Sequence, residues 1–388
     1  MRIRTDYMII TIKDERYLLP YGQGIAQLRP SLKINEVVEF VLRNIDGTDI
    51  TEDAVFHLLK QFYEATNSEL DLQLRQDAKD FIQMLTTAQL VDTCNSIGKE
   101  LGETDTFYCV ADLNLCFSGN MTYLAKEWEQ FRLSATPETI HQHFTLIMDA
   151  PDAYPVGSVV IRTKDLLVFD TGEEWHYVFL SNHYVKDVRV SKDGRLACAY
   201  LPWVDDNSDE ITQELFQAMR PAFLVMAQVN GKYVIHSASI LYDDKAYLFS
   251  AKSGTGKSTQ ANLWHEAYGT PILNGDLNLL EIIDQKCYVS GLPWHGTSGI
   301  YDDYRKPLGG IIFIKQSLQN HVVTKSVADS ILAISQRMIS PCYTGSMLED
   351  HLRFSENVYD CVHTWFYYCT KDTSAVVYLK DVIDEQTD

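Results

Sequence analysis

Lys257 and Ser258 close a run of small residues, AKSGTGKST from Ala251 to Thr259, whose order of residue types suits the binding of a phosphate chain. Glycines at 254 and 256 let consecutive backbone N–H groups approach an anion closely, and a following helix adds the positive end of its dipole. The ammonium of Lys257 would then meet the β- and γ-phosphates of ATP, and the Ser258 hydroxyl would ligate Mg2+. Ser253, Thr255 and Thr259 complete the stretch that faces phosphate. The pattern G-x-x-x-x-G-K-S/T is met except at its first position, where Ala251 stands for glycine. Asp276, in ILNGD, is a carboxylate that could share the magnesium ion or accept a proton from an attacking hydroxyl; it could also simply shape a turn. His236 interrupts an apolar run, YVIHSASILY, and reads either as a partner for that chemistry or as a hydrogen-bonded strand residue.

Such groups need a strand before the loop and a helix after it. KYVIHSASILY reads as one strand, Asp243-Asp244 as a turn, KAYLFS as a second strand, and KSTQANLW as the start of a helix. TPILNGDLNLLEII is a strand interrupted at Asn274-Gly275-Asp276. Beyond it, GLPWHGTSGIYDDYRKPLGGIIFI holds Trp294, His295 and Ser298 in a glycine-rich loop, which would either touch substrate or only connect. SVADSILAISQRMISP reads as a helix carrying Arg337, a charge-stabilising group or a surface arginine.

The 102–230 region supplies short β-like runs, TFYCVADLNLCFSG, FTLIMD, VGSVVIRT, LLVFDTG, WHYVFLSN and ACAYLP, then a helix expected to break near Pro221. It offers no catalytic constellation of its own. The 1–101 region opens with a hairpin, YMIITIKDERYLLPYG, turning at Asp14-Glu15. Three amphipathic helices follow. The first places Ile34, Val37, Val38, Val41, Leu42 and Ile45 on one face and stops at Gly47; the second is capped by Thr51; the third carries Ala78, Phe81, Ile82 and Leu85. The whole reads as α+β / α/β, a winged-helix-like domain ahead of a mixed-sheet phosphate-binding domain.

Of 388 residues, 46% are hydrophobic and 22% charged, enough for a substantial core, and the net charge of -20 disfavours a nucleic-acid partner. No apolar run approaches the ~18 residues of a membrane span, and no signal-peptide pattern opens the chain, so the expected location is the cytoplasm. The eight cysteines lack C-x-x-C spacing and read as buried small hydrophobes rather than a zinc site.

HSASILYDDKAYLFSAKSGTGKST followed by ILNGD resembles the catalytic core of the HPr kinase/phosphorylase family, which shares its fold with ATP-dependent phosphoenolpyruvate carboxykinase. The resemblance implies catalytic roles for His236, Lys257 and Asp276, with magnesium between Ser258 and Asp276. Where that family has an Asp-Asp pair, this chain has Gly275-Asp276, which implies a single working carboxylate and casts doubt on phosphorolysis. YLLPYGQGIAQLRPSLKINEVVEFVLRNIDG and DAKDFIQMLTTAQLV resemble the small peptide-binding domain of PqqD type, which implies a clamp for the leader of a ribosomally made peptide, added as a strand beside the hairpin and packed on the last helix. Together they imply a 1–101 leader-binding domain, a 102–230 β-rich part and a 231–388 catalytic core: an ATP-dependent kinase acting on a Ser or Thr hydroxyl of a precursor peptide. A small-molecule kinase and a nucleotide-dependent peptide chaperone remain open on the same residues, as does a homo-oligomer.

Overall fold

The computed structural model describes residues 2–3, 7–20, 31–45, 50–65, 70–88, 90–92, 105–151, 155, 157–204 and 206–387. Among these, the residues up to 92 make one compact unit and those from 105 onward another. Gly47 and Leu101, expected as a helix stop and a domain boundary, lie outside the described residues.

In the first unit β1 (Arg2–Ile3) pairs with β5 (Val91–Asp92), and β2 (Tyr7–Ile12), β3 (Glu15–Pro20) and β4 (Leu32–Ile34) form an antiparallel sheet in that order. The hairpin turns one residue earlier than expected. Lys13 and Asp14 both take positive φ, 48° and 65°, because a two-residue turn of that hand matches the twist of the flanking strands, and Ile12 then pairs with Glu15. Asn35 starts α1 (Glu36–Asn44), its side chain accepting the Val38 N–H at 2.9 Å. Ile34, expected on the helix, therefore belongs to β4, where it is buried. Thr51 caps α2 (Glu52–Phe62) in the same way, and α3 (Asp71–Thr87) follows. Val41, Val55, Leu59, Ala78, Phe81 and Leu85 meet in one core, the product of helical periodicity in all three segments.

The second unit holds two large mixed sheets. β6 (Thr106–Val110), β7 (Leu113–Ser118), β8 (Gln142–Ile147), β9 (Ser158–Arg162), β10 (Leu166–Asp170), β11 (Glu174–Phe179), β12 (Asp187–Ser191) and β13 (Leu196–Tyr200) lie in the order β6-β7-β8-β13-β12-β11-β10-β9. β12, DVRVS, is absent from the strands expected on sequence because charges interrupt it; pairing on both sides with β11 and β13 secures it. α4 (Ser208–Val229) runs unbroken through Pro221, contrary to the expected break. A proline there removes the donor to the Gln217 carbonyl, whose residue is exposed to water. Side chains fasten the neighbouring carbonyls: the Trp294 indole N–H donates to Phe216 O at 2.9 Å, and Gln142 Nε2 donates to Ala222 O at 2.9 Å. Burial of Leu215, Phe216, Met219, Phe223 and Met226 against the sheet outweighs the local preference.

The remaining elements are β14 (Tyr233–Tyr242), β15 (Lys245–Ser250), α5 (Lys257–Tyr268), β16 (Ile272–Asn274), β17 (Leu277–Ile283), β18 (Lys286–Ser290), β19 (Arg305–Gln316), β20 (His321–Val323), α6 (Val327–Ser335), α7 (Gly345–Cys361), β21 (His363–Cys369) and α8 (Thr373–Thr387). Their strands run β15-β14-β17-β18-β19-β21-β20, and β15 also pairs in parallel with β19, so the first five close on themselves. Closure depends on a change of partner within β14, which pairs with β17 up to His236 and with β15 from Ser237 onward. One apolar core runs from Leu215, Phe216 and Phe223 of α4 to Leu277, Leu292 and Trp294. No described helix is long and apolar enough to cross a membrane, and the described cysteines are all free.

Candidate active site

The stretch from Ala251 to Thr259 follows β15 and runs into the first turn of α5, the placement that phosphate binding would require. Gly254 and Gly256 take φ of 76° and 114°, a left-handed path that a side chain would resist, and it turns the chain into α5. Gln316, ending β19, steadies the loop by donating Nε2–H to Thr255 O at 2.9 Å. Ala251 needs no such freedom. It is buried in the core that holds Ala261 and Trp264, so its methyl fills space and the departure from glycine is accounted for by packing. Ser253, Gly254, Ser258 and Thr259 are exposed, Thr255 and Gly256 partly so. Lys257 is only 8% exposed and makes no hydrogen bond or ion pair among the described residues. An ammonium held out of water without a partner is costly. Burial accordingly lowers its pKa, Asp276 works against that shift, and the charge of Arg337 adds to it.

His236 and Asp276 meet at the corner where β14 changes partners. His236 Nε2 lies 2.9 Å from Asp276 Oδ1, with side chains 27% and 30% exposed. The backbone around them is fixed from three sides: Ser237 N–H donates to Asp276 O, the Ser250 hydroxyl to His236 O, and His236 N–H to Arg337 O, at 2.9, 2.8 and 2.9 Å. Asn274, fully buried, presents the carboxylate. Its Oδ1 accepts the N–H groups of Asp276 and Leu277 at 2.9 and 3.1 Å, so the polar break in the strand is a built turn as well as a site for Asp276. The hydrogen bond with His236 does most to hold the Asp276 carboxyl below its ordinary value; the charges of Lys257 and Arg220 add to this while burial opposes it.

Two arginines therefore belong to the site. Arg337 does not ride on the expected helix, because α6 ends at Ser335; it follows the helix, and its carbonyl is tied to His236. It is partly buried, and its charge acts on Lys257. Arg220, from α4, was not legible as a site residue, and its only sequence signal is a cation inside an apolar helix run, AMRPAFLVMA. Arg220 thus brings a charged group from the 102–230 region within reach of the Asp276 charge.

The 293–299 loop packs directly on the carboxylate. A Cβ built on Gly275 would stand 2.0 Å from Ser298 Oγ, and one on Gly296 would stand 2.9 Å from Asp276 Cβ and Cγ. These contacts leave no room for a second carboxylate at position 275. Trp294 anchors the loop among Trp128, Phe216 and Phe223, with ring centroids 5.4, 5.7 and 5.3 Å away. His295 stacks on Tyr301 and places Nε2 3.5 Å from Glu127 Oε1. A packed connecting loop and a wall of the site are here the same object.

No group of three metal-ligating side chains occurs among the described residues. Magnesium commonly takes one or two protein oxygens and completes its shell with phosphate and water, and Ser258 and Asp276 are oxygen donors of that kind. No known family profile matches the chain, nor does any curated protein sequence. Among solved structures, the Hpr(Ser) kinase/phosphatase from Coxiella burnetii overlaps 40% of this chain and 96% of its own, with 11% identity and a TM-score of 0.25. At that score the overlap carries no argument.

Proposed function

We propose that the protein is an ATP-dependent kinase that phosphorylates a Ser or Thr hydroxyl on a ribosomally made precursor peptide, with the peptide's leader held by the unit that precedes residue 92. The observation that carries the kinase reading is Lys257, buried and unpartnered at the head of α5 behind a left-handed glycine turn. A polyphosphate supplies what such a site lacks. Lys257 binds the β- and γ-phosphates and the first N–H groups of α5 orient them. Ser258 and Asp276 would hold magnesium, which when bound would offset phosphate charge. Asp276 accepts the hydroxyl proton of the peptide, the hydroxyl oxygen forms the new bond to the γ-phosphorus, the bond to the β-phosphate oxygen breaks, and ADP leaves.

A pocket in the first unit supports the peptide part of the reading. Its volume is about 310 Å³ and its apolar lining comes from Leu32, Ile34, Val38, Met84 and Leu90. β4 is the outer strand beside it, so a peptide in extended form would find free backbone partners on one side and apolar side chains beneath. Tethering by a leader raises the local concentration of the acceptor, which suits an active site with little sequence recognition of its own. The test is mass spectrometry, after incubation with the full chain, ATP and Mg2+, of Ser- and Thr-containing precursor peptides, each carrying its leader. A phosphorylated Ser or Thr is expected; ADP formation with an unmodified peptide would overturn the peptide reading, and no nucleotide binding would overturn the kinase reading.

A further inference from the structure

Asp276 is the one carboxylate whose charge Arg220 feels, yet it already faces His236, and Arg220 makes no hydrogen bond or ion pair among the described residues. Its place on α4 is well fixed. Phe216, Arg220 and Phe223 are spaced four and three residues apart and share one helical face. The two phenylalanines on that face pack on Trp294. The Trp294 carbonyl accepts from Asn274 Nδ2 at 3.4 Å, and two residues on, Gly296 lies against Asp276. These contacts hold the helical face that carries Arg220 against the loop that packs on Asp276.

Positive charge there exceeds what the protein neutralises. Lys257 and Arg220 both lie within reach of the Asp276 charge, and Arg337 adds a third cation near Lys257. Burial lowers the pKa of Arg220, and the charge of Asp276 opposes that shift. Keeping a half-buried guanidinium without a partner is unfavourable unless an anion completes it, and its planar fork suits two oxygens of one phosphoryl group better than a point contact does.

We infer that Arg220 is a further catalytic residue, one that grips the γ-phosphoryl group during transfer. This rests on the kinase reading above. In the step itself the γ-phosphoryl passes from the β-phosphate oxygen to the peptide hydroxyl oxygen, the proton goes to Asp276, and Arg220 keeps its protons while holding the equatorial oxygens.

The test compares nucleotides that differ by that one group. Binding of ADP and of β,γ-imido-ATP, each with Mg2+, is titrated against the full-length wild type, Arg220→Gln and Arg220→Lys. Arg220→Gln is expected to weaken imido-ATP binding about tenfold or more and to change ADP binding less than about twofold. Arg220→Lys, which keeps the charge without the fork, should lose imido-ATP affinity selectively by a smaller factor, and it decides the matter if the Gln variant does not fold. Equal losses for both nucleotides, or none for either, would overturn the assignment. If the wild type binds neither nucleotide, the kinase reading itself fails; if it binds both and the variants bind imido-ATP as it does, only Arg220 falls.

Discussion

Under the proposed function Asp276 is the base, in a place that favours the carboxylate. The hydrogen bond with His236 and the nearby cations Lys257 and Arg220 hold its pKa below the ordinary carboxylate value, so it would be ionised in the neutral range and open to a proton late in the transfer. Asp276→Asn is expected to keep MgATP binding within a few-fold while phosphorylation of the peptide falls by about 10²–10⁴-fold, measured as initial rates at saturating ATP. Unchanged transfer would remove Asp276 from the base role. The lowered value also sets a pH dependence. Since the folded state binds this proton less readily than the unfolded chain, the stability gained from Asp276 is complete above the ordinary carboxylate range and is lost as pH falls through the lowered value. Denaturation of wild type and Asp276→Asn should therefore differ by a constant amount near neutrality, and the gap should close below about pH 4.

At the scale of elements, the site is a junction of three turns, each dictated by a few residues: the glycine turn into α5, the Asn274 turn before β17, and the 293–299 loop. The last two interlock through Gly275 and Ser298. Gly275→Ala drives a methyl into Ser298, where it must displace the loop or the turn, at a cost of about 1–3 kcal/mol. Ser298→Gly removes the obstructing atoms, so the double variant Gly275→Ala/Ser298→Gly should regain most of that stability in thermal unfolding and show strong coupling in a double-mutant cycle. Additive losses would mean that the contact is not what constrains Gly275. The sequence made the first of these turns legible, because glycine, lysine and hydroxyl residues stand together between a strand and a helix, and it placed His236 in its strand and Asp276 at the interruption of one. It did not disclose how they meet. The corner at His236–Ser237, where β14 passes from β17 to β15, depends on pairing between distant segments, and nothing local encodes it. Arg220 was hidden for the same reason: a helix pattern says which face is apolar, and only packing on Trp294 says what else that face reaches. Pro221 misled because its local cost is certain while the burial that overrides it is tertiary.

At the scale of the whole molecule, the proposal assigns binding of the leader and transfer to different units, and the two should therefore fail separately. Met84 is suited to testing this. It lines the apolar pocket beside β4 and remains 38% exposed, so a polar replacement leaves the core of Val41, Leu59 and Leu85 untouched. Met84→Glu would bury a carboxylate against any apolar side chain seated there, which is unfavourable without a partner. Its expected effect is about a tenfold rise in KM for the peptide with kcat nearly unchanged, and no change in the affinity for MgATP. That pattern marks loss of uniform binding rather than loss of an interaction made in the transition state. Asp276→Asn should show the converse, with kcat lost and peptide affinity kept. If Met84→Glu leaves KM where it was while the peptide is still phosphorylated, the pocket does not hold the leader, and the acceptor is recognised in some other way. The transfer chemistry argued for Lys257, Asp276 and Arg220 would stand, because none of those residues belongs to the unit that Met84 tests.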